Sequence, residues 1–315
     1  MLREARLGLG TWQLGGASEF GGRTNGWGAL DEARALAILD TALAQGIRVF
    51  DTADAYGKGL SETRIGKVVG NRDDCYVITK VGQREQAQQA LCDFSPSWIQ
   101  YAVSQSLKRL QRDRIELLLL HSPPLNFDYL SQASDVFTQL KVEGKIGGIG
   151  VSVRTSACAK RAIAASWIDA VEVIFNAVDR RAAAVFAEST LPNPPSTRTS
   201  AVQWIARSVL ASGWLARSAG QQLSQDDLRA HVPGDLAAWF AAQDRGLDWL
   251  NDLPGGKTVS LLRFAISYAA VDCALLGVRR PEQIAAIVQA KQLGALPTDV
   301  IQQIQRSSEL YPGWV

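Results

Sequence analysis

The chain has 315 residues, 47% of them apolar, with 33 basic and 31 acidic side chains and a net charge of +2. A composition this apolar builds a core and excludes a disordered chain, and charge spread this evenly, without a basic block, argues against a nucleic-acid partner. The start, MLREARLGLGTW, has no secretory apolar region, no apolar run is long enough to span a membrane, and Cys75, Cys92, Cys158 and Cys273 stand far apart without a CxxC pair. The expectation is a cytoplasmic protein with free thiols, neither a disulfide frame nor a metal site.

Residues 7–15 (LGLGTWQLG) read as a first strand ending in glycines. Residues 31–46 have the period of an amphipathic helix, with Asp31 as N-cap and Gly46 as C-cap. IRVFDTA (47–53) is the next strand, and 61–70 a helix opened by Ser61 and closed by Gly70. CYVITKV (75–81) is a strand, and 95–111 a helix with the favourable start Ser95-Pro96. RIELLLLH (114–121) is continuously apolar, as in a strand buried on both faces. Helix then alternates with strand: 128–145, IGGIGVS (146–152), 154–166, DAVEVIFN (169–176) and 181–190. A strand lies within 199–210. The end holds a helix near 258–270, the strand VDCALLG (271–277), and helices near 281–292 and 297–309.

These are about eight β-then-α units, which predict a parallel sheet closed into a (β/α)8 TIM barrel. A doubly wound sheet would want a GxGxxG turn after its first strand, and GLGTWQLGG lacks that spacing. Residues 216–257, broken by HVPGD and LPGGK, read as a long βα loop insertion over the barrel mouth of a single domain.

The stretch FDTADAYGKGLSE (50–62) crowds ionisable groups where a buried strand ends. Barrel active sites lie at the C-terminal strand ends. Asp51 ends the second strand, Tyr56 follows in its loop, Lys80 ends the third and His121 the fourth, so the four converge on one mouth. A phenol with a pKa of about 10 is a poor acid near neutrality. A neighbouring Lys80 cation is expected to lower that pKa, and Asp51 to hold the lysine. With His121 orienting a carbonyl oxygen, the set would protonate the oxyanion formed when hydride attacks a carbonyl. None of the four can supply hydride, so a cofactor must. Taken singly, each has an ordinary explanation: a turn aspartate, a loop aromatic, a solvated lysine, a core histidine.

FDTADAYGKGLSE, VITKV, LLLLHSP and GIGVS, with GLGTWQLGG, ARSVLASGWL and ALLGVRRPEQI, resemble the aldo-keto reductase superfamily over nearly the whole chain. The resemblance implies a barrel, an NAD(P)H cofactor and reversible reduction of aldehydes or ketones to alcohols. It implies a catalytic set of Asp51, Tyr56, Lys80 and His121, with Tyr56 as the acid. Cofactor contacts carry over onto Thr11, Trp12 and Asp51 early in the chain. In the middle they fall on Ser152 and Glu172, and around the seventh strand on Arg207, Ser208, Leu210 and Ser212. Gly277, Arg279 and Gln283 complete them. The chain departs from the family's pattern at Val153 (often Asn), Glu172 (usually Gln), Val209 (Pro) and Ala286-Ile287 (Glu-Asn). Ionised Glu172 accepts hydrogen bonds but cannot donate, so the departures bear on cofactor grip.

Arg279 and Arg280 stand beside a helix start at Pro281, an arrangement suited to a 2′-phosphate, so NADPH is expected over NADH. Trp12 is expected to wall a substrate pocket, with Trp27 as pocket or lid. Arg23 and Asn25 fit either a polar, sugar-like substrate or a solvated loop, and His231 reads as a surface residue. The partner expected is a small carbonyl compound, neither nucleic acid nor membrane. The alternatives are a cofactor-binding regulatory subunit of the same fold, and a metal hydrolase built on Asp51, Asp54 and His121. With two histidines and no HxH pair, the second has little support.

Overall fold

A computed structural model describes residues 2–128, 133–189, 202–217 and 222–311. Eight parallel strands close into a barrel: β1 (Arg6–Gly10), β2 (Val49–Asp51), β3 (Tyr76–Val81), β4 (Ile115–His121), β5 (Ile146–Ser152), β6 (Ala170–Ile174), β7 (Gln203–Arg207) and β8 (Val271–Gly277). Neighbours follow chain order and β8 closes onto β1. Around them run α1 (Glu32–Ala44), α2 (Leu60–Val68), α3 (Pro96–Leu110), α4 (Ser134–Val142), α5 (Ser156–Ala164), α6 (Ala182–Ser189), α7 (Gly234–Gly246), α8 (Gly256–Ile266), α9 (Ile284–Leu293) and α10 (Thr298–Ser307). No described helix is long and apolar enough to cross a membrane.

Strand periodicity of two sorts the side chains. Val49, Ile78, Leu117, Leu119, Ala170, Ile205, Cys273 and Leu275 fill the barrel, with Leu2 of the N-terminal helical turn packed beneath. Phe50, Val77, Leu118, Val171 and Trp204 belong to the larger cluster under the helices. Gly150 makes room for this filling, because a Cβ there would lie 2.5 Å from Leu119. One inward step beyond the apolar plug, toward the C-terminal ends, stand Asp51, Lys80, His121, Glu172 and Arg207. The alternation that buries leucine thus aims these polar residues at the mouth.

Local signals hold at α1, where the Asp31 carboxylate accepts from Arg34 N at 2.8 Å and Gly46 turns the chain at φ 79°. Elsewhere the structure corrects the expectations. β1 stops at Gly10, and Trp12–Gly15 is a 3-10 turn. Ser61 does not cap α2, which starts at Leu60 behind Gly59 (φ 92°). Its hydroxyl instead bonds Thr11 at 2.8 Å and Thr52 at 2.9 Å, tying the β1 and β2 ends together. The helix expected over 128–145 is α4 alone, and 129–132 lie outside the described residues. A hairpin after β3 (Gln83–Gln86 with Gln89–Cys92) was not foreseen. Its turn residues, Ala87 and Gln88, hold φ 48° and 61° without the Asn-Gly that signals such a turn.

Residues 216–257 are more than a loop. They hold α7 and 3-10 turns at Leu228–His231 and Asp248–Asp252. Phe240 of α7 stacks on Trp214 at 5.3 Å and on Tyr311 at 5.6 Å. Asp227 forms an antiparallel bridge with Trp27, and Leu228 N donates to Gly26 O at 2.9 Å.

Candidate active site

The β1 and β2 ends are locked first: Thr11 donates to Asp51 O through its amide (2.9 Å) and its hydroxyl (2.7 Å). The fully buried Lys80 ammonium donates to Asp51 Oδ1 and Oδ2 at 2.7 Å each and to Thr52 O at 2.9 Å. Tyr56 OH lies 3.4 Å from the same nitrogen. The Tyr56 turn sits close on the Trp12–Gly15 turn, where a Cβ at Gly15 would lie 2.7 Å from Gly57 N. Trp12 stacks on the phenol ring at 5.6 Å, and His121 meets it edge-on at 5.9 Å. The four residues singled out from sequence are therefore together.

Charges here belong to a group, not to single residues. Two cations, Lys80 and Arg207, face two carboxylates, Asp51 and Glu172. Asp51 and Glu172 hold the Lys80 ammonium protonated despite burial. Burial and Glu172 push Asp51 well above the usual carboxylate range, whereas Lys80 and Arg207 hold Glu172 below it. Burial, Lys80, Arg207 and Arg154 drive His121 well below the ordinary imidazole value, keeping it neutral near pH 7. Lys80 pulls the Tyr56 pKa down as expected, but burial outweighs that pull and Asp51 and Glu172 oppose it, so the phenol is pushed up to about 12.

The remaining expected contacts are spread around the mouth. Ser152 Oγ donates to Glu172 Oε1 at 2.6 Å, and Arg207 reaches Val153 O at 3.2 Å. Leu210 is half-buried, and Ser208, Ala211 and Ser212 hold φ 56°, 47° and 56°. Such left-handed clusters in non-glycine residues gather at ligand sites and turn amides toward anions. The Gln13 side chain covers Gly277. The Arg279 guanidinium donates to Ala29 O at 2.9 Å and lies 3.8 Å from Asp227. Gln283 Oε1 accepts from the amides of Arg279 (2.8 Å) and Arg280 (3.0 Å). Ile287 is buried in the core.

Trp27 is buried, edge-on to Trp12 at 5.5 Å and covered by Arg229 at 4.8 Å. Arg23 is exposed, Asn25 O accepts from Trp12 Nε1 at 3.1 Å, and His231 is exposed. Asp54 keeps a buried, unpaired Oδ1. Among the described residues no three His, Cys, Asp or Glu side chains group as a metal site would. Gln13 and Gln83 went unnoticed in the sequence. Gln83 donates to His121 O at 2.9 Å from the unforeseen hairpin, and nothing local marked it.

Among the described residues, four polar atoms at this mouth have no hydrogen-bond donor or acceptor group paired with them: Gln13 Oε1, His121 Nδ1, Glu172 Oε2 and Arg207 Nε. Each unmade bond costs about 1–3 kcal/mol, so their concentration here fits a polar ligand that completes them. The sequence matches the Aldo/keto reductase family over residues 6–309. It is 30% identical to Aldo-keto reductase YhdN of Bacillus subtilis over 297 residues, covering 91% of this chain and 85% of that one. It is 29% identical to D-threo-aldose 1-dehydrogenase of Pseudomonas sp, covering 89% of each chain. Aldo-keto reductase AKR11C1 from Bacillus halodurans, in its holo form, superposes with a TM-score of 0.76 at 26% identity, covering 98% of this chain and 94% of that one. The chain belongs to the aldo/keto reductase family, oxidoreductases that reduce aldehydes and ketones to alcohols with a nicotinamide cofactor.

Proposed function

We propose that Tyr56 is the proton donor of this reductase, with Lys80, Asp51 and His121 arranged to serve it. The observation that carries this is the buried Asp51–Lys80–Tyr56 series, at 2.7 and 3.4 Å, with the phenol next to His121. The nicotinamide cofactor, when bound, supplies hydride to the carbonyl carbon. Tyr56 then gives its proton to the carbonyl oxygen. A pKa near 12 does not prevent this, because the alkoxide forming on that oxygen is a stronger base than a phenolate. Neutral His121 offers a hydrogen bond that orients the oxygen without competing as the acid. Trp12 covers the phenol and excludes water.

Thr11 acts by fixing Asp51. Ser152 and Glu172 would hold the cofactor's nicotinamide end, the 208–213 turn its diphosphate, and Arg279 with exposed Arg280 its adenosine end. Those arginines favour NADPH over NADH. The chain works as one barrel unit on a small carbonyl compound. Its similarity to D-threo-aldose 1-dehydrogenase, together with the polar mouth, supports a sugar-like one. Four free cysteines are in keeping with a cytoplasmic location. The test is Tyr56→Phe, assayed on aldoses and small aromatic aldehydes by loss of nicotinamide absorbance. Turnover falls about 10²–10⁴-fold while the fold and cofactor affinity persist; near-normal turnover refutes the assignment.

A further inference from the structure

Glu172 places a charge deep inside the barrel. It is fully buried on β6, one inward position beyond Ala170. Its two oxygens are treated differently. Oε1 accepts from Ser152 Oγ at 2.6 Å and lies 3.4 Å from Arg207 Nε. Among the described residues no N–H or hydroxyl donates to Oε2, which lies 3.6 Å from Lys80 Nζ, and the Glu172 carboxyl is within hydrogen-bonding reach of the Asp51 carboxyl. A buried carboxylate oxygen without donors needs a cation facing it, and Lys80 is that cation. The ammonium therefore stands between carboxylates from two sides of the barrel. Its short bonds go to Asp51 and Thr52 O at 2.7–2.9 Å, leaving Tyr56 OH at a weak 3.4 Å.

We propose that Glu172 is a positioning residue of the acid–base centre: as second counter-ion of Lys80 it offsets the ammonium's pull on the Tyr56 phenol, and so sets the alkaline limit up to which Tyr56 keeps its proton. The charged and titratable groups around this pair are Asp51 on β2, Lys80 on β3, His121 on β4, Arg154 after β5, Arg207 on β7 and Cys273 on β8. Asp51 and Glu172 hold the phenol's proton on, whereas Lys80 and Arg207 pull it off. His121 is neutral, and burial pushes the Cys273 thiol far above its usual range, so neither adds charge near neutrality. Asp51 is engaged by two short bonds to the ammonium. Glu172 is the carboxylate that balances what remains. A neutral glutamine of the same shape would keep the Ser152 bond and lose only this charge.

The inference rests on Tyr56 being the acid, but its test needs neither cofactor nor substrate. Tyrosinate absorbance is read after a rapid pH jump, before unfolding, with Tyr56→Phe subtracted to isolate the one phenol. In wild type Tyr56 stays protonated beyond the ordinary phenol range of about 10. In Glu172→Gln its midpoint falls by about one pH unit, the scale expected for removing one nearby charge, and in Glu172→Asp, which keeps the charge, it stays near wild type. An unchanged midpoint in Glu172→Gln, or an equal fall in both variants, overturns the inference. The alkaline limb of turnover moves with the titration. A shifted titration with an unmoved limb sustains the coupling and rejects Tyr56 as the acid instead. Should both variants fail to fold, Glu172→Met, an apolar side chain of similar length that also removes the charge, is titrated in their place: a midpoint lowered by about one pH unit sustains the inference, and an unchanged one overturns it.

Discussion

Lys80→Met removes an ammonium that the structure holds at 2.7 Å from both oxygens of Asp51 and 3.6 Å from Glu172. At an effective dielectric of about 20, the attraction across 2.7 Å is about 6 kcal/mol. Desolvation of both ions offsets most of that in the intact pair, so the pair's net contribution is small. Removing one partner is different, because it strands two buried carboxylates, and the expected loss is about 3–5 kcal/mol. Unfolding entropy scales at about 2.1 cal/mol/K per residue, so over 315 residues that loss lowers Tm by about 5–8 °C. The assay is thermal and urea unfolding of wild type, Lys80→Met, Asp51→Asn and the double variant, all at pH 7. Asp51→Asn removes one of the stranded charges, so the double variant is more stable than additivity allows, by about 1–3 kcal/mol. A Lys80→Met loss under about 1 kcal/mol, or an additive cycle, refutes the view of Lys80 as a cation locked between carboxylates.

Arg279→Ala weakens NADPH binding by about 1.5–3 kcal/mol and leaves NADH nearly unchanged. Dissociation constants for both cofactors in both proteins check this, and an equal loss for the two means that Arg279 holds the 26–29 loop rather than reading a 2′-phosphate. His121 makes stability depend on pH. Its imidazole is held well below 6.5 in the folded chain but binds a proton near pH 6.5 when unfolded. The unfolded state thus takes up the extra proton, and stability falls as pH drops below about 6.5. His121→Asn lacks this group, so between pH 7 and 5 wild type should lose about 1–2 kcal/mol more than the variant in urea unfolding. Parallel losses refute a buried neutral imidazole.

Much of the barrel is legible because its signals are short-range. Continuous apolar runs such as the β4 leucines report burial on both faces, and caps such as Asp31 and Ser95-Pro96 report helix starts within a few residues. What failed lacked a local marker. The hairpin after β3 turns through Ala87 and Gln88, which carry no turn chemistry. Ser61 has the look of a cap, but its hydroxyl is taken by Thr11 and Thr52, residues distant in sequence.

The site divides in the same way. Which residues meet was contained in the sequence, because period-two alternation puts Asp51, Lys80, His121 and Glu172 on the inward face at strand ends, and parallel pairing brings those ends together. How each behaves was decided by tertiary structure. The expectation that Lys80 lowers the Tyr56 pKa counted one neighbour at one distance, whereas the folded barrel adds burial under Trp12 and two carboxylates, and their sum reverses the sign. Arg279 likewise stands where its sequence position suggested, yet it lies against Ala29 and Asp227, contacts set by a segment more than fifty residues earlier and a loop at the start of the chain. Electrostatic energy depends on all charges and on the local dielectric at once, so residue order names the participants, and only the assembled barrel fixes their protonation and their partners.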